Sequence, residues 1–356
     1  MPSQGHTEKK SEPVIRCESV YKVFGSNAQQ LLRGKDGFID ALDAKAAECI
    51  VGVNNASFEV HSGEILIIMG LSGSGKSTLL RCITRLTDAT RGRIFIEGQD
   101  LIAMSDKQLI ELRRSKMGMV FQNFGLLPHK TVLENIAFPL QIKGKSTKES
   151  MERARDMGRL VGLEGRENYF PRELSGGQQQ RVGIARSLAV EPDIWFLDEP
   201  FSALDPLIRR EMQDEFLRLQ GILKKTILFV THDFDEALRL ADRIAIMKEG
   251  IIEQLDTPAN IVLHPATEYV RKFTENVPRE KVLRIEDVMD PFDSTEAMSD
   301  LKVSKDLIID VVAEKVLSQS SPVGVVDDNG TVVGSLHPSR VIKILFGGHS
   351  KDNRGA

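Results

Sequence analysis

Short apolar runs that end in glycine or in polar residues recur along the chain, separated by longer stretches of helical character. The clearest runs are residues 65–69, 117–121, 194–199 and 226–230. Unbroken apolar runs of this length are typical of parallel strands that are buried on both faces. After the first run, apolar side chains fall on one helical face at Leu79, Leu80, Ile83 and Leu86. This succession predicts an α/β fold built on a parallel sheet.

Other patterns divide the chain further. Residues 14–24, 51–60 and 93–98 have strand character and predict a side sheet beside the core. Residues 26–50 lose that character and become charged and rich in alanine, which predicts a helical insert near the site. Residues 123–190 have helical character, and the strand pattern returns only at residue 194. We therefore expect a helical subdomain inserted into the α/β core.

A second, smaller region follows a predicted linker at residues 273–281. Within residues 282–346, two β-branched runs surround Asp328-Asn329-Gly330, which predicts a hairpin. Helices are expected before it, at 307–318, and after it, at 338–345, giving a strand-helix-strand-strand-helix unit. The polar tails 1–13 and 347–356 are expected to be disordered.

Composition narrows the class of protein. The 356 residues carry a net charge of −4, so no general attraction to nucleic acid is expected. Cys17, Cys49 and Cys82 are widely spaced and suggest neither a disulfide framework nor a zinc site. No apolar run approaches the ~18 residues of a membrane-spanning helix, and no signal peptide is evident. We expect a soluble, cytosolic protein whose membrane role, if any, comes through partners.

The segment Gly70-Leu-Ser-Gly-Ser-Gly-Lys-Ser-Thr78 carries the first candidate chemistry, because it fits the phosphate-loop pattern and lies between a strand and a helix. The glycines at 70, 73 and 75 let backbone N–H groups point at one phosphate chain. Lys76 would reach the β- and γ-phosphates of ATP, and the Ser77 hydroxyl would bind Mg²⁺. Ser72, Ser74 and Thr78 complete the predicted nucleotide-binding loop. The alternative is a glycine-rich turn between strand and helix.

A second candidate anion site precedes another helix, predicted for residues 179–189. Its residues are Ser175, Gly176, Gly177 and Gln178, with Ser175 as a plausible N-cap. Because one nucleotide does not need two such cradles on one chain, we expect Ser175 and Gly177 to close over ATP held by another subunit. The alternative is a plain N-cap with glycines required for packing.

Further candidates stand at strand ends. Asp198 would hold Mg²⁺ and Glu199 would act as the general base toward water. Gln122 would bind Mg²⁺ or orient water, and His232 would contact the γ-phosphate. For Asp198 and Glu199, the alternative is a pair of carboxylates that cap the turn at Pro200.

Three further residues complete the set. Phe24 is either a flat surface for a nucleotide base or a core aromatic. Asp205 would link two sites across a dimer. Asp233 is expected to be a solvated charge.

These motifs, in this order, resemble the ATP-binding subunit of ABC transporters over about residues 14–272. The resemblance implies a P-loop NTPase core (RecA-like) with an antiparallel β side sheet and an inserted helical subdomain. It also implies that ATP is hydrolysed in a nucleotide-sandwich homodimer that drives alternating access in separate membrane subunits. Phe24-Gly25, the insert before Val51 and the phosphate loop look like those of importers for glycine betaine, proline or choline. The alternatives are import of another small polar solute, a role outside transport, or a regulatory module that binds ATP without turnover.

The same resemblance implies partners and a place in the cell. It implies membrane permease subunits, whose coupling helix would enter a groove near Gln122 and residues 124–128, and indirectly a solute-binding protein. The chain would lie at the cytoplasmic face of the inner membrane as a peripheral protein. Residues 282–346 look like a single small α+β module of the cystathionine-β-synthase type (CBS-like). That module would be either a sensor of ionic strength or a nucleotide, or a dimer-stabilising appendage.

Overall fold

A computed structural model of the chain describes residues 12–346 except 35, 36, 123, 124, 276, 294 and 296. The described residues form two compact units that divide between Leu255 and Asp256. The predicted disordered tails fall, apart from residues 12 and 13, outside the described residues, as does part of the predicted groove at 124–128. Within the described ranges, no helix combines the length and the apolar character needed to cross a membrane.

The strands in chain order are β1 (Ile15–Phe24), β2 (Ile50–Val60), β3 (Ile65–Met69), β4 (Arg91–Ile96), β5 (Gln99–Asp100), β6 (Met117–Val120), β7 (Ile194–Asp198), β8 (Thr226–Thr231), β9 (Arg243–Lys248), β10 (Ile251–Asp256), β11 (Asp290–Pro291), β12 (Lys302–Ser304), β13 (Val323–Val326) and β14 (Val332–Leu336). The helices are α1 (Ala28–Leu32), α2 (Ala41–Ala46), α3 (Lys76–Ile83), α4 (Asp106–Lys116), α5 (Val132–Ile142), α6 (Thr147–Leu160), α7 (Gly176–Leu188), α8 (Pro206–Leu223), α9 (Phe234–Leu240), α10 (Pro258–Leu263), α11 (Glu268–Thr274), α12 (Ile309–Leu317) and α13 (Pro338–Phe346).

The first unit is organised around a six-stranded sheet of order β10-β9-β3-β8-β7-β6. Strands β9, β3, β8, β7 and β6 pair in parallel. All residues of β3, β7 and β8 are buried, which explains why these segments read as unbroken apolar runs. The predicted α/β core is therefore confirmed.

An antiparallel sheet of order β2-β1-β4-β5 lies beside the core sheet, as predicted. Buried side chains of both sheets share one hydrophobic cluster, in which Ile15 and Val53 pack with Leu66 and Ile68. The predicted insert contains α1 and α2. Leu31 and Ile39 of the insert share a buried hydrophobic cluster with Val23 of β1. In addition, the buried Asn54 side chain accepts from the Ile39 N–H at 2.9 Å and donates to the Ile39 carbonyl at 3.0 Å. The insert is thus held beside β2.

The predicted helical subdomain contains α5, α6 and α7. Each begins with a capping box, in which a Ser or Thr side chain and a Glu or Gln side chain three residues later satisfy each other's backbone N–H groups. Because Ser175 caps α7, that helix begins at Gly176 rather than at the predicted residue 179. The capping residues are Thr131, Ser146 and Ser175.

The second unit has a four-stranded sheet of order β11-β14-β13-β12. Its elements β12, α12, β13, β14 and α13 follow the predicted strand-helix-strand-strand-helix order, and β13 and β14 form the predicted hairpin. Ala259 of α10 is buried in the same hydrophobic cluster as Leu283 and Val325. This unit therefore begins upstream of the linker predicted at 273–281.

Candidate active site

The ends of four neighbouring strands meet at one edge of the core sheet. Strands β3, β8, β7 and β6 are adjacent and parallel, so the segments that follow them emerge together. A cleft of about 610 Å³ lies there. It is lined by Phe24, Ile50, Val51, Gly52, Leu71, Ser72, Gly73, Gly75, Lys76, Ser77, Thr78, Gln122, Glu199 and His232. Residues that are more than 200 positions apart in the sequence therefore lie around one cleft.

The loop after β3 has a backbone that admits little but glycine. Gly70, Gly73 and Gly75 have φ values of +152°, +80° and +100°. A Cβ atom at Gly70 would lie 2.2 Å from the Met247 carbonyl oxygen, and one at Gly75 would lie 2.0 Å from the Gly52 carbonyl oxygen. The loop is therefore packed tightly against its neighbours on one side while its other side faces the cleft.

We expect Gly75→Ala to destabilise the first unit far more than Gly73→Ala. Both positions have positive φ, which costs about 1 kcal/mol for alanine. Only at residue 75 does the added methyl group also meet a backbone oxygen, because nothing lies within 4 Å of a Cβ at Gly73. In urea unfolding without nucleotide, the free energy of unfolding of Gly75→Ala should be lower than that of wild type by more than about 3 kcal/mol. Equal losses in the two variants would contradict the packing that we describe.

Lys76 begins helix α3 and is only 4 % exposed. Its ammonium group donates to the carbonyl oxygens of Gly70 at 2.8 Å and Leu71 at 3.0 Å, and burial lowers the pKa of Lys76. The nearby Ser74 hydroxyl is buried and has no hydrogen-bond partner among the described residues. Such a buried polar atom is costly unless a further group satisfies it. The loop is therefore shaped to receive an oxygen-rich ligand.

Two side chains bridge the loop to the end of β7. The Ser77 hydroxyl donates to the Asp198 carboxylate at 2.8 Å. Asp198 is buried, and this burial raises its pKa against the opposing effect of the Ser77 hydrogen bond. A buried carboxylate is tolerated when cations or donors surround it, so this pair is suited to a hard metal ion.

Glu199 follows Asp198 and receives polar side chains from both neighbouring strand ends. Gln122 Nε2 donates to its Oε2 atom at 3.1 Å, and His232 Nδ1 lies 3.1 Å from the same oxygen. Glu199 has a φ of +46°, a strained conformation for this residue type, and its N–H group donates to Val230 O at 2.9 Å. The strained backbone holds the carboxylate at the cleft. Its position suits a base that takes a proton from a molecule bound there.

The other predicted site residues lie elsewhere within the described part of the chain. None of residues 175–178 lines the cleft. The Ser175 hydroxyl caps α7, and a Cβ at Gly177 would lie 2.7 Å from the Ile208 side chain. Asp205 caps α8 by accepting from the Ile208 N–H at 3.1 Å. Within one chain Ser175 and Asp205 cap helices and Gly177 is closely packed, and the predicted contacts of these residues with a second subunit stay predictions.

Sequence reasoning missed Ile50, Val51, Gly52 and Leu71 as cleft residues. The signal that points to Gly52 is a glycine inside a strand, which marks a close approach of another group. A Cβ there would lie 2.9 Å from the Phe24 ring and 3.0 Å from the Thr78 methyl group. The interpretation of Asp233 was wrong, because this carboxylate is paired with Arg209 and caps α9.

Comparison with known proteins provides evidence on the family of this chain that is independent of the site geometry. The family description "ABC transporter" matches residues 53–202. The chain is 71 % identical over 341 residues to the trimethylamine N-oxide transport system ATP-binding protein TmoW of Pelagibacter ubique, covering 96 % of this chain and all of the relative. The namesake protein of Ruegeria pomeroyi is 54 % identical over 334 residues, covering 94 % of this chain and 97 % of the relative.

A more distant relative and a solved structure indicate the same family. The glycine betaine/proline betaine transport system ATP-binding protein ProV of Escherichia coli is 46 % identical over 275 residues, covering 77 % of this chain and 69 % of the relative. A dimeric ATP-binding cassette, solved in a post-hydrolysis state with ADP and Pi, matches with a TM-score of 0.58 and 34 % identity, covering 68 % of this chain and 98 % of that chain. These matches confirm the predicted P-loop NTPase fold. The chain belongs to the ABC transporter family, as one of its ATP-hydrolysing subunits.

Proposed function

We propose that this chain powers the import of a small methylated amine, with trimethylamine N-oxide as the first candidate. The observation that carries this proposal is the 71 % identity, over 96 % of the chain, to the ATP-binding protein of a trimethylamine N-oxide transport system. Glycine betaine and choline, which the motifs suggested, come next, because other relatives are named for glycine betaine, proline betaine and choline transport. Proline, which the motifs also suggested, stays a prediction.

ATP would lie in the cleft with its base at one end and its phosphates at the other. Phe24 is 43 % exposed at the cleft and offers a flat surface for the adenine base. The phosphates would lie against the N–H groups of residues 72–78 at the start of α3, where the helix dipole favours negative charge. Lys76 would exchange its two carbonyl partners for phosphate oxygens, which hold a cation more strongly.

Mg²⁺ is the metal that this donor set fits. The Ser77 hydroxyl, the Asp198 carboxylate and the Gln122 amide are oxygen donors of the kind that Mg²⁺ prefers. Ser77 and Asp198 are already within hydrogen-bond distance, so they point into one space. When bound, the ion would neutralise phosphate charge and orient the phosphate oxygens.

Glu199 would activate the water that attacks the γ-phosphorus. Its carboxylate accepts the proton as the new P–O bond forms, while the bond between the γ-phosphorus and the β,γ-bridging oxygen breaks and ADP leaves. His232 and Gln122, both at 3.1 Å from the Glu199 carboxylate, would fix its orientation, and His232 would contact the γ-phosphate. Lys76 would stabilise the charge that develops on the phosphoryl oxygens.

Two copies of the chain would form the complete hydrolysis unit. Residues 175–178 do not line the cleft of their own chain, and Ser175 and Gly176 are exposed. They would therefore bind the γ-phosphate of ATP held by the partner, and Asp205 would connect the two sites. A solved relative of the same fold is a dimer, which supports this arrangement.

The homodimer would act from the cytoplasmic face of the inner membrane, docked on membrane permease subunits. A solute-binding protein would deliver the amine to those subunits without touching this chain. The second compact unit would be a CBS-like regulatory or dimer-stabilising module, a proposal that rests on the strand-helix-strand-strand-helix order of its elements.

Uptake of labelled solute tests this proposal. Cells that lack this chain but retain its permease and solute-binding protein would receive wild type, Glu199→Gln or no protein, and uptake of trimethylamine N-oxide, glycine betaine, choline and proline would be measured. We expect wild type alone to restore trimethylamine N-oxide uptake, by at least about tenfold over Glu199→Gln. Restoration of a different solute alone would overturn the solute, and restoration by both constructs would overturn the role of Glu199.

A further inference from the structure

One arginine joins two loops that end at the candidate active site. Arg209 lies in the first turn of α8, directly after the loop formed by residues 202–205. Its Nη1 atom donates to Asp233 Oδ2 at 3.1 Å, and its Nη2 atom donates to the Leu204 carbonyl oxygen at 3.1 Å. Asp233 immediately follows His232. A single planar guanidinium group therefore fixes the distance between the 202–205 loop and the histidine loop.

Both loops are also tied directly to Glu199. The Ser202 hydroxyl donates to the Glu199 carbonyl oxygen at 2.9 Å, and His232 Nδ1 lies 3.1 Å from the Glu199 carboxylate. Arg209 thus closes a ring of contacts that runs from the backbone of Glu199 through the 202–205 loop to Asp233 and back to the Glu199 side chain. A displacement of one loop changes the geometry at the carboxylate.

The Asp233 end of this ring is held by two further hydrogen bonds. Its backbone N–H donates to Thr231 Oγ1 at 3.0 Å, and its Oδ1 atom accepts from the Glu236 N–H at 3.1 Å. Both carboxylate oxygens of Asp233 are therefore in use, one as the cap of α9 and one as the partner of Arg209. Asp233 therefore links Arg209 to the start of α9 and to the adjoining His232.

One donor of the Arg209 guanidinium group is both buried and unused. Arg209 Nε is buried and has no hydrogen-bond partner within the described ranges of the chain. A buried donor without a partner is unfavourable, so this pairing leaves room for a rearrangement that adds a bond.

We infer that Arg209 is a positioning residue that transmits the approach of the partner subunit, through residues 202–205, to His232 and Glu199. This inference rests on the proposed function, in which Asp205 of the same loop lies at the dimer interface. The alternative is an ion pair that only fastens α8 to α9. A partly exposed pair of that kind contributes little to stability and nothing to turnover.

Four variants of the full chain separate these possibilities. Arg209→Met removes both arms, and Arg209→Lys keeps the charge but cannot hold Asp233 and Leu204 together. Asp233→Asn breaks the ion pair yet still caps α9, because asparagine caps as well as aspartate. Arg210→Met is the matched control, since Arg210 is an exposed arginine at the next position of the same helix. The kcat and KM for ATP, and the Tm, would be measured for each, with the double variant of Arg209→Met and Asp233→Asn.

We expect kcat to fall about tenfold in Arg209→Met and in Asp233→Asn, about threefold in Arg209→Lys, and not at all in Arg210→Met. The KM for ATP should stay within about twofold throughout, because neither residue touches the nucleotide. The double variant should be no slower than the slower single variant, since both changes break the same link.

Three outcomes would overturn the inference. One is a wild-type kcat in Arg209→Lys and Asp233→Asn, even if the Tm falls. Another is a rise in KM that matches the fall in kcat. The third is a double variant about 100-fold slower than wild type, which is the product expected for independent residues. Absence of ATP turnover in the wild-type chain would instead contradict the proposed function, so the two failures are distinguishable.

Discussion

Glu199→Gln reduces ATP turnover by at least about 100-fold and leaves ATP binding within about twofold of wild type, if Glu199 is the general base. The reason is that the amide has the same shape but cannot accept the proton of the attacking water. Glu199 lies 3.1 Å from both His232 and Gln122, and an amide can still hydrogen-bond with each. The loss should therefore fall on chemistry rather than on folding or nucleotide affinity.

The measurement is release of phosphate under saturating ATP, with ATP affinity measured in parallel. Glu249→Gln is the matched control, because Glu249 is exposed, also has a positive φ, of +49°, and does not line the cleft. It should turn over ATP as the wild type does. Wild-type turnover in Glu199→Gln would remove the general base from our mechanism.

Mixed dimers, with a different inactive variant in each chain, should recover part of the ATP turnover that each variant alone loses. Lys76→Ala should abolish turnover in the site that its own chain builds, and Ser175→Arg should abolish it in the site that the partner builds. Each variant alone is expected to be at least about 100-fold slower than wild type. In an equal mixture, half of the dimers combine both variants, and each of these has one site with no defect. Activity should therefore return to about a quarter of the wild-type value.

The recovery distinguishes a shared site from a site within one chain. If Ser175 acted on ATP in its own chain, both sites of the mixed dimer would carry a defect and the mixture would stay inactive. Ser146→Arg is the control for loss of an N-cap, which costs about 1 kcal/mol, because Ser146 caps α6 with the same capping box. It should keep wild-type turnover, whereas a loss there would assign the Ser175 effect to folding.

Much of the fold and of the candidate site follows from local pattern. An unbroken apolar run such as residues 65–69 indicates a strand buried on both faces, and its contacts within the sheet confirm this. Positive φ and backbone packing require glycine at positions 70 and 75. The glycine pattern of the sequence therefore predicts the loop. The parallel order of strands then places the predicted residues at 122, 199 and 232 at one edge, where they line one cleft.

Other features depend on which distant segments meet. Asp233 looked like a solvated charge, because nothing near it in the sequence explains a partner, yet Arg209 lies 24 positions away and binds it. Gly177 suits a phosphate cradle by motif, but the structure also shows it in close contact with Ile208 of α8. Neither contact follows from periodicity, because each joins different elements.

The class of fold, the nucleotide loop and the residue types at the strand ends follow from the sequence alone, because these depend on local backbone geometry and on burial period. The folded chain was needed to show that Gln122 and His232 share one oxygen of Glu199. It alone also revealed that a guanidinium group spans two loops. Distances between side chains on separate elements are set by the packing of sheets and helices, which no single segment encodes.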